Sequence, residues 1–129
     1  MFTSLIVLEM EKLTHSEEEA MLIVWQLGSC NIKDVLDNFQ TPKPPYTTLA
    51  SVIKKLESKK YLKAEPSGNA YRYTPLVSQE EYKNSFLSDV VENYFGSSFQ
   101  NMVTFFAKKE KISTDELREV IRLIEKGQS

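Results

Sequence analysis

Small hydroxyls and lysines recur at helical spacing within residues 45–60, where their chemistry suits contact with duplex DNA. At about 100° per residue, the apolar side chains of this segment share one face, namely Leu49, Val52, Ile53 and Leu56. The opposite face carries no carboxylate and consists of Thr47, Thr48, Ser51, Lys54, Lys55 and Ser58. Short hydroxyls can reach base edges in a major groove, and lysines can meet phosphates. The segment is therefore a candidate recognition helix, or alternatively a solvated face that lacks acids.

Charge is distributed unevenly along the 129 residues, whose net charge is −2. Residues 1–42 hold two bases against seven acids, residues 43–72 seven against two, and residues 73–129 seven against nine. An acidic protein with one basic segment around a candidate recognition helix is typical of local electrostatic docking onto nucleic acid. The alternative is that these bases serve only solubility.

The cysteine count, the apolar runs and the N-terminal residues exclude several classes of protein. A single cysteine, Cys30, excludes an internal disulfide and is typical of a reducing cytoplasm. No apolar run approaches the ~18 residues of a membrane span. Met10 resembles a second start, so residues 1–9 are predicted to be an N-terminal extension without a signal peptide's basic region. The alternative for residues 1–9 is an extra strand or an arm on a dimer.

Two helices, the second of them short, are predicted before the candidate recognition helix. Thr14 and Glu17 have the spacing of a capping box, and Gly28 is placed to end the first helix. Asn31 is placed to cap a second helix over residues 32–39. Helix, short helix, turn and hydroxyl-bearing helix is the order of a helix-turn-helix. The side chains expected to face inward are Met21, Leu22, Trp25, Leu27, Val35, Leu36 and Phe39.

A β-hairpin is predicted directly after the candidate recognition helix, because residues 61–65 and 70–74 alternate on either side of a turn predicted over residues 66–69. A helix-turn-helix followed by a hairpin is a winged helix, which we assign to residues 10–77. Such a wing lies along the DNA backbone, with Asn69 at its tip and Arg72 on its flank. The alternative for Arg72 is a salt bridge to Glu65 across the hairpin. The expected core consists of Trp25, Leu49, Ile53, Leu56 and Tyr61.

Residues 78–129 are predicted to form three further helices, two of which start at capping boxes beginning at Ser78 and Ser113. Their apolar and aromatic stripes indicate burial against a second copy of the chain. The alternative, a bundle within one monomer, would have a thin core. The residues predicted to form the dimer contact are Phe86, Val90, Tyr94, Phe95, Phe99, Met102, Phe106, Leu117, Ile121 and Ile124.

Motifs from about Leu13 to about Ile124 carry a family resemblance. They comprise Leu13, Thr14, Glu17, Met21, Trp25, Gly28, Tyr46, Thr47, Thr48, Lys55, Leu56, Lys59, Gly68, Tyr71, Tyr73 and Pro75. In this order and spacing they resemble the penicillinase repressor family, which includes β-lactamase, methicillin-resistance and copper-responsive repressors. The resemblance implies dimerisation through the C-terminal helices. It also implies control of a resistance or stress operon, relieved when a membrane sensor protease triggers cleavage of the repressor.

The resemblance further implies a position for that cleavage. In penicillinase repressors the cut falls at an Asn-Phe bond in the second C-terminal helix. The corresponding bond here joins Phe105 and Phe106, so Phe105 stands where those relatives have Asn. Copper-responsive members carry a cysteine-rich tail, whereas this chain ends in Glu-Lys-Gly-Gln-Ser, so a copper sensor is not expected.

These patterns predict a mainly α protein with a small β-hairpin wing, a winged helix-turn-helix followed by a C-terminal helical dimerisation region. We expect a cytoplasmic homodimeric repressor of a pseudo-palindromic operator, with no cofactor and no metal. The alternative is a winged-helix protein–protein interaction module without specific DNA binding. An enzyme is least supported, because the sequence has neither a Cys/His pair nor a phosphate-cradling glycine loop. The residues predicted to contact DNA are Thr47, Thr48, Ser51, Lys54, Lys55, Asn69 and Arg72.

Overall fold

The computed structural model describes residues 10–127, so the predicted extension, residues 1–9, lies outside the described part. The order of helices and strands confirms a mainly α protein with a hairpin wing. The chain divides into two compact units between Ser85 and Phe86. No helix among residues 10–127 is long and apolar enough to cross a membrane. The elements are α1 (His15–Leu27), α2 (Ile32–Asp37), α3 (Tyr46–Ser58), β1 (Leu62–Ser67), β2 (Ala70–Pro75), α4 (Gln79–Tyr94), α5 (Phe99–Lys108) and α6 (Thr114–Gly127).

Reciprocal side-chain hydrogen bonds start four of these helices. At α1, Glu17 N donates to Thr14 Oγ1 at 3.2 Å and Thr14 N donates to Glu17 Oε1 at 2.9 Å, which confirms the predicted capping box. Each such pair satisfies backbone N–H groups that the first turn of a helix leaves unpaired. The same arrangement is made by Asn31 with Asp34, Ser78 with Glu81 and Ser113 with Glu116.

The buried face of α1 differs from the prediction. Leu22 and Leu27 are 47% and 38% exposed, whereas Ala20 and Val24 join Met21 in the core. Residues 17, 20, 21 and 24 follow the i, i+3, i+4, i+7 spacing of one helical face, and Leu22 lies about 100° away from Met21. The prediction was wrong because it selected the largest apolar side chains rather than this series.

The core residues predicted in α3 are confirmed. Leu49, Ile53 and Leu56 are all buried, as is Tyr61 immediately after the helix. Trp25 is only partly buried at the margin of the same cluster. Helix α2 ends at Asp37, before the predicted residue 39. Its Val35 is buried, while Leu36 and Phe39 are partly buried against the core.

The wing is a two-stranded antiparallel hairpin whose strands extend closer to its tip than predicted. Its register pairs Leu62 with Pro75 at the base and Ser67 with Ala70 at the tip. The turn therefore contains only Gly68 and Asn69, and Gly68 has a φ of +61°. A positive φ at the first of two turn residues is typical of a type II′ turn, which suits the twist of a hairpin.

Val77, the last residue of the predicted winged helix, and Tyr82, beyond that boundary, complete its core. Trp25 Nε1 donates to the Val77 carbonyl at 2.8 Å, and the Val77 side chain is buried. The Tyr82 ring, in the first turns of α4, has its centroid 5.4 Å from that of Trp25 and 6.1 Å from that of Tyr61. The first compact unit accordingly extends to Ser85.

Candidate nucleic-acid interface

Helix α3 presents its hydroxyls and lysines to solvent. The three buried residues of this helix, Leu49, Ile53 and Leu56, direct the opposite face outward. Pro45 is the N-cap, so α3 begins one residue after the start of the predicted segment, residues 45–60. Ser58 Oγ donates back to the Lys54 carbonyl at 3.1 Å, which engages that hydroxyl within the helix. The exposed residues that we predicted to contact DNA on this face are Thr47, Thr48, Ser51, Lys54 and Lys55.

A lysine occupies the turn that leads into α3. Lys43 Nζ donates to the carbonyls of Leu36, Asp37 and Phe39, at 3.0 Å in each case. An ammonium has three N–H donors, so these bonds use all of them. These carbonyls lie at and just after the end of α2, where a cation also suits the helix dipole.

A second lysine fastens the other end of α3. Lys59, the C-cap, donates to Glu17 Oε1 at 2.6 Å and to the Lys12 carbonyl at 2.9 Å. The Lys59 side chain is 20% exposed and the Glu17 side chain is 3% exposed. Burial by itself would raise the pKa of Glu17, but hydrogen bonds from Lys59 and Thr14 outweigh it and leave that pKa below its ordinary value. Glu17 therefore joins the start of α1 to the end of α3 as a charged partner.

The wing is tied to the loop between α1 and α2. Cys30 and Tyr73 exchange two backbone hydrogen bonds, at 2.9 and 2.7 Å. Arg72 Nη2 donates to the Ser29 carbonyl at 2.9 Å. Although Glu65 lies opposite Arg72 in the hairpin register, its ion pair is with Lys63 at 3.6 Å, so the alternative salt bridge of Arg72 is not formed. Arg72 remains exposed, and Asn69 is exposed at the tip.

The basic segment, residues 43–72, therefore contains two kinds of cation. Lys43, Lys59 and Arg72 donate to main-chain carbonyls, which their count in the sequence could not reveal. Lys60, before the hairpin, and Lys63, on β1, are exposed. They were not among the predicted contacts, although they belong to the same basic segment. Two exposed aromatic residues were also missed as interface candidates, namely Tyr46 on α3 and Tyr71 on β2.

The second unit exposes many of the apolar residues predicted to form a dimer contact. No side chain along α6 is fully buried. A cavity of about 750 Å³ is lined by Val90, Tyr94, Phe95, Phe105, Phe106 and Lys108, among other residues. Of the predicted contact residues, Phe86, Tyr94, Phe99, Phe106, Ile121 and Ile124 are 40–79% exposed. Those of intermediate exposure are Val90, Phe95, Met102 and Leu117.

The bond between Phe105 and Phe106 lies within α5, where the backbone is helical. Lys109 N donates to the Phe105 carbonyl at 3.2 Å, and Lys111 N donates to the Phe106 carbonyl at 3.0 Å. The two side chains are 46% and 40% exposed. Within residues 10–127 there is no group of three or more His, Cys, Asp or Glu side chains placed to hold a metal ion.

Comparison with known proteins matches residues 13–126 to the family model described as penicillinase repressor. Methicillin resistance regulatory protein MecI of Staphylococcus aureus (strain N315) is 22% identical over 116 residues, covering 89% of this chain and 94% of MecI. An uncharacterized 16.5 kDa protein from the ptsI 3′ region of Latilactobacillus sakei is 28% identical over 115 residues. The match covers 88% of this chain and 78% of that protein. The solution structure of monomeric Bacillus licheniformis BlaI with the blaP half-operator aligns with a TM-score of 0.48 and 22% identity, covering 57% of this chain and 90% of BlaI.

Proposed function

Because the chain belongs to the penicillinase repressor family of DNA-binding transcriptional repressors, we propose that it binds a pseudo-palindromic operator as a homodimer. The family match confirms the resemblance found in the motifs. The strongest support for the proposed contact is the exposed, acid-free face of α3, which lies opposite the buried Leu49, Ile53 and Leu56. The relatives' names describe regulators, which favours a non-enzymatic role.

The exposed face of α3 carries two kinds of side chain, with different proposed roles at the DNA. Thr47, Thr48 and Ser51 are short hydroxyl donors and acceptors, which suit base edges in the major groove. Lys54 and Lys55 are exposed cations, which suit phosphates and supply affinity that does not depend on sequence. The wing adds backbone contacts through Asn69 and through the N–H groups of Arg72 that Ser29 does not engage.

A dimer is supported by the exposed apolar residues of the second unit. The apolar face of α6 contains Leu117, Val120, Ile121 and Ile124, and none of these is buried within the chain. Large exposed apolar surfaces of this kind mark interaction sites. A two-fold axis relating two α3 helices requires half-sites separated by about one or more helical turns of DNA.

Control of a resistance or stress operon is proposed from the family and from the named role of MecI in methicillin resistance. We place the release of repression at a cut between Phe105 and Phe106, downstream of a membrane sensor protease. Such a cut would separate α6 from the winged helix and split the proposed dimer contact. Each half would then bind DNA without the high effective concentration that a linked partner provides.

The DNA-binding proposal is tested with a duplex that the full-length protein selects from a random-sequence library. Thr48→Ala and Ser51→Ala should each reduce discrimination between the selected duplex and a scrambled one by about 1–3 kcal/mol, the value of a good base contact. Thr114→Ala is the matched control, because Thr114 is an exposed threonine at the start of another helix, α6. Gel-shift titrations measure both affinities.

Two results would contradict this proposal. Enrichment of no sequence from the library would favour the alternative, a winged helix that acts as a protein–protein module. Unchanged discrimination in both α3 variants would show that another surface reads the DNA.

A further inference from the structure

Two lysines flank the helix that we propose reads DNA, and both are engaged within the protein. Lys43 lies just before α3 and Lys59 lies at its C-cap. Both belong to the basic segment, residues 43–72, so by count alone they would be assigned to phosphates. Their hydrogen bonds indicate a different role.

Lys59 uses two of its three N–H donors to join the end of α3 to the segment around the start of α1. Its ammonium lies 2.6 Å from Glu17 Oε1 and 2.9 Å from the Lys12 carbonyl, 42 and 47 residues away in sequence. The Glu17 carboxylate offsets its charge, and four-fifths of the Lys59 side chain is removed from solvent. A phosphate would compete with the buried Glu17 for this ammonium, and a buried charge that loses its partner is costly.

Lys43 is exposed at the other end of α3, but all three of its N–H donors are engaged. Its three hydrogen bonds join the turn before α3 to the last carbonyls of α2 and to Phe39. No N–H donor of that ammonium is left for a phosphate. The direction in which α3 begins depends on this turn, because the chain between α2 and α3 is short.

We propose that Lys43 and Lys59 are positioning residues that hold the two ends of α3 and so set the angle at which its hydroxyls meet base edges. This inference rests on the proposed function, because it assigns roles around the same DNA-binding helix. It separates the lysines into two groups. Lys43 and Lys59 determine discrimination between sequences, whereas Lys54 and Lys55 determine the salt-dependent attraction to any duplex.

The salt dependence of binding distinguishes these groups. Each phosphate contact contributes about 0.9 to the slope of log K against log salt concentration. Lys54→Met and Lys55→Met, the matched controls, should therefore each lower that slope by about 0.9 per protomer. Lys43→Met and Lys59→Met should leave the slope unchanged. They should instead lower the ratio of affinities for the selected and scrambled duplexes by about 5- to 150-fold, which corresponds to the loss of a good base contact.

Lys59→Met leaves a buried carboxylate unpaired and can unfold the protein, so the double variant Glu17→Gln/Lys59→Met is measured beside it. Circular dichroism at the assay temperature verifies that each protein used in the titrations is folded. A positioning role predicts that the folded double variant also loses discrimination at an unchanged slope. A merely structural role predicts a lower melting temperature with unchanged discrimination, and that result would overturn the inference.

Failure of this inference can be told apart from failure of the proposed function. If the Lys43→Met and Lys59→Met variants lower the salt slope as Lys55→Met does, these lysines contact phosphates and only the positioning role is refuted. If the wild-type protein enriches no duplex, the proposed function fails and the positioning role fails with it.

Discussion

The phenol of Tyr82 donates a hydrogen bond to Glu18 Oε2 at 2.5 Å, although the two residues are 64 positions apart in sequence. This bond joins the first turns of α4 to the start of α1. The Tyr82 ring also packs against Trp25 and Tyr61, so the bond closes an aromatic cluster at the margin of the winged-helix core. The start of α4 therefore belongs to the winged-helix unit.

Removal of the Tyr82 hydroxyl tests this relationship. Tyr82→Phe should lower the free energy of unfolding by about 1.5–3 kcal/mol, because a hydrogen bond to a carboxylate is lost while the ring is retained. Tyr94→Phe is the matched control, because Tyr94 is 79% exposed and should change stability little. Urea unfolding of the full chain measures both. Equal changes in the free energy of unfolding would show that the bond to Glu18 adds no stability beyond that of an exposed tyrosine hydroxyl.

Alkaline pH should weaken the same cluster. Burial raises the pKa of Tyr61 to about 12, with a further contribution from the negative charges of Glu11 and Glu17. Burial, followed by the hydrogen bond to Glu18, raises the pKa of Tyr82 as well. In the unfolded chain the two phenols lose their protons at about pH 10, whereas in the folded chain they still hold them at that pH. The stabilisation is therefore complete below pH ~10 and declines at higher pH by up to about 1.4 kcal/mol per pH unit for each tyrosine.

Urea unfolding at several pH values between about 9 and 12 measures this decline. Tyr61→Phe should lower stability at neutral pH, because the bond to the Glu11 carbonyl at 2.6 Å is lost, and should also flatten the decline at high pH. Parallel curves for the wild-type protein and Tyr61→Phe would show that Tyr61 does not cause the alkaline loss.

Two C-terminal truncations test where the winged-helix unit ends. A chain ending at Ser85 retains Val77 and Tyr82 and should unfold cooperatively as a monomer. A chain ending at Pro75 should be less stable by about 3 kcal/mol or more, since it loses the burial of two side chains and the bond from Trp25 Nε1. Urea unfolding and light scattering measure stability and mass. Equal stability of the two chains would show that neither Val77 nor Tyr82 stabilises the winged-helix core.

The proposed dimer contact is tested by placing a charge on the apolar face of α6. Ile121→Glu should convert the full-length protein to a monomer, because burying an unpaired carboxylate in an apolar contact is costly. Arg122→Gln changes the net charge by the same amount on the other side of α6 and should leave the dimer intact. Sedimentation velocity measures the mass of each. A dimeric Ile121→Glu protein would place the contact elsewhere.

A chain ending at Phe105 imitates the proposed cleavage. It lacks α6 and should be monomeric, with affinity for the selected duplex reduced by about 10²- to 10⁴-fold through loss of effective concentration. Discrimination by a single winged helix between half-site and scrambled DNA should persist, because α3 is unchanged. Gel-shift titration against the full-length protein measures the loss. Undiminished affinity would mean that cleavage at this bond cannot relieve repression.

Local patterns in the sequence were sufficient to predict most elements. The capping boxes, the buried residues of α3 and the hairpin turn depend on residues only a few positions apart, so their spacing carries the information. The element order of a winged helix followed from them. The face of α1 was predicted wrongly, because the residues that enter the core depend on how α1 packs against α3 and the hairpin rather than on side-chain size.

The sequence by itself determined that a basic, hydroxyl-bearing helix lies in a winged-helix order, because helical periodicity and charge are local properties. Only the tertiary structure decided which cations in residues 43–72 are free to meet DNA. Lys43 and Lys59 donate to carbonyls or a carboxylate that other parts of the fold bring within about 3 Å, whereas Lys54 and Lys55 lie on the exposed face of α3. Arg72 donates to one carbonyl and retains further N–H donors. A lysine's charge is the same in both cases. Its role depends on the acceptor that folding places beside it, and that acceptor can be 42 residues away, as Glu17 is from Lys59.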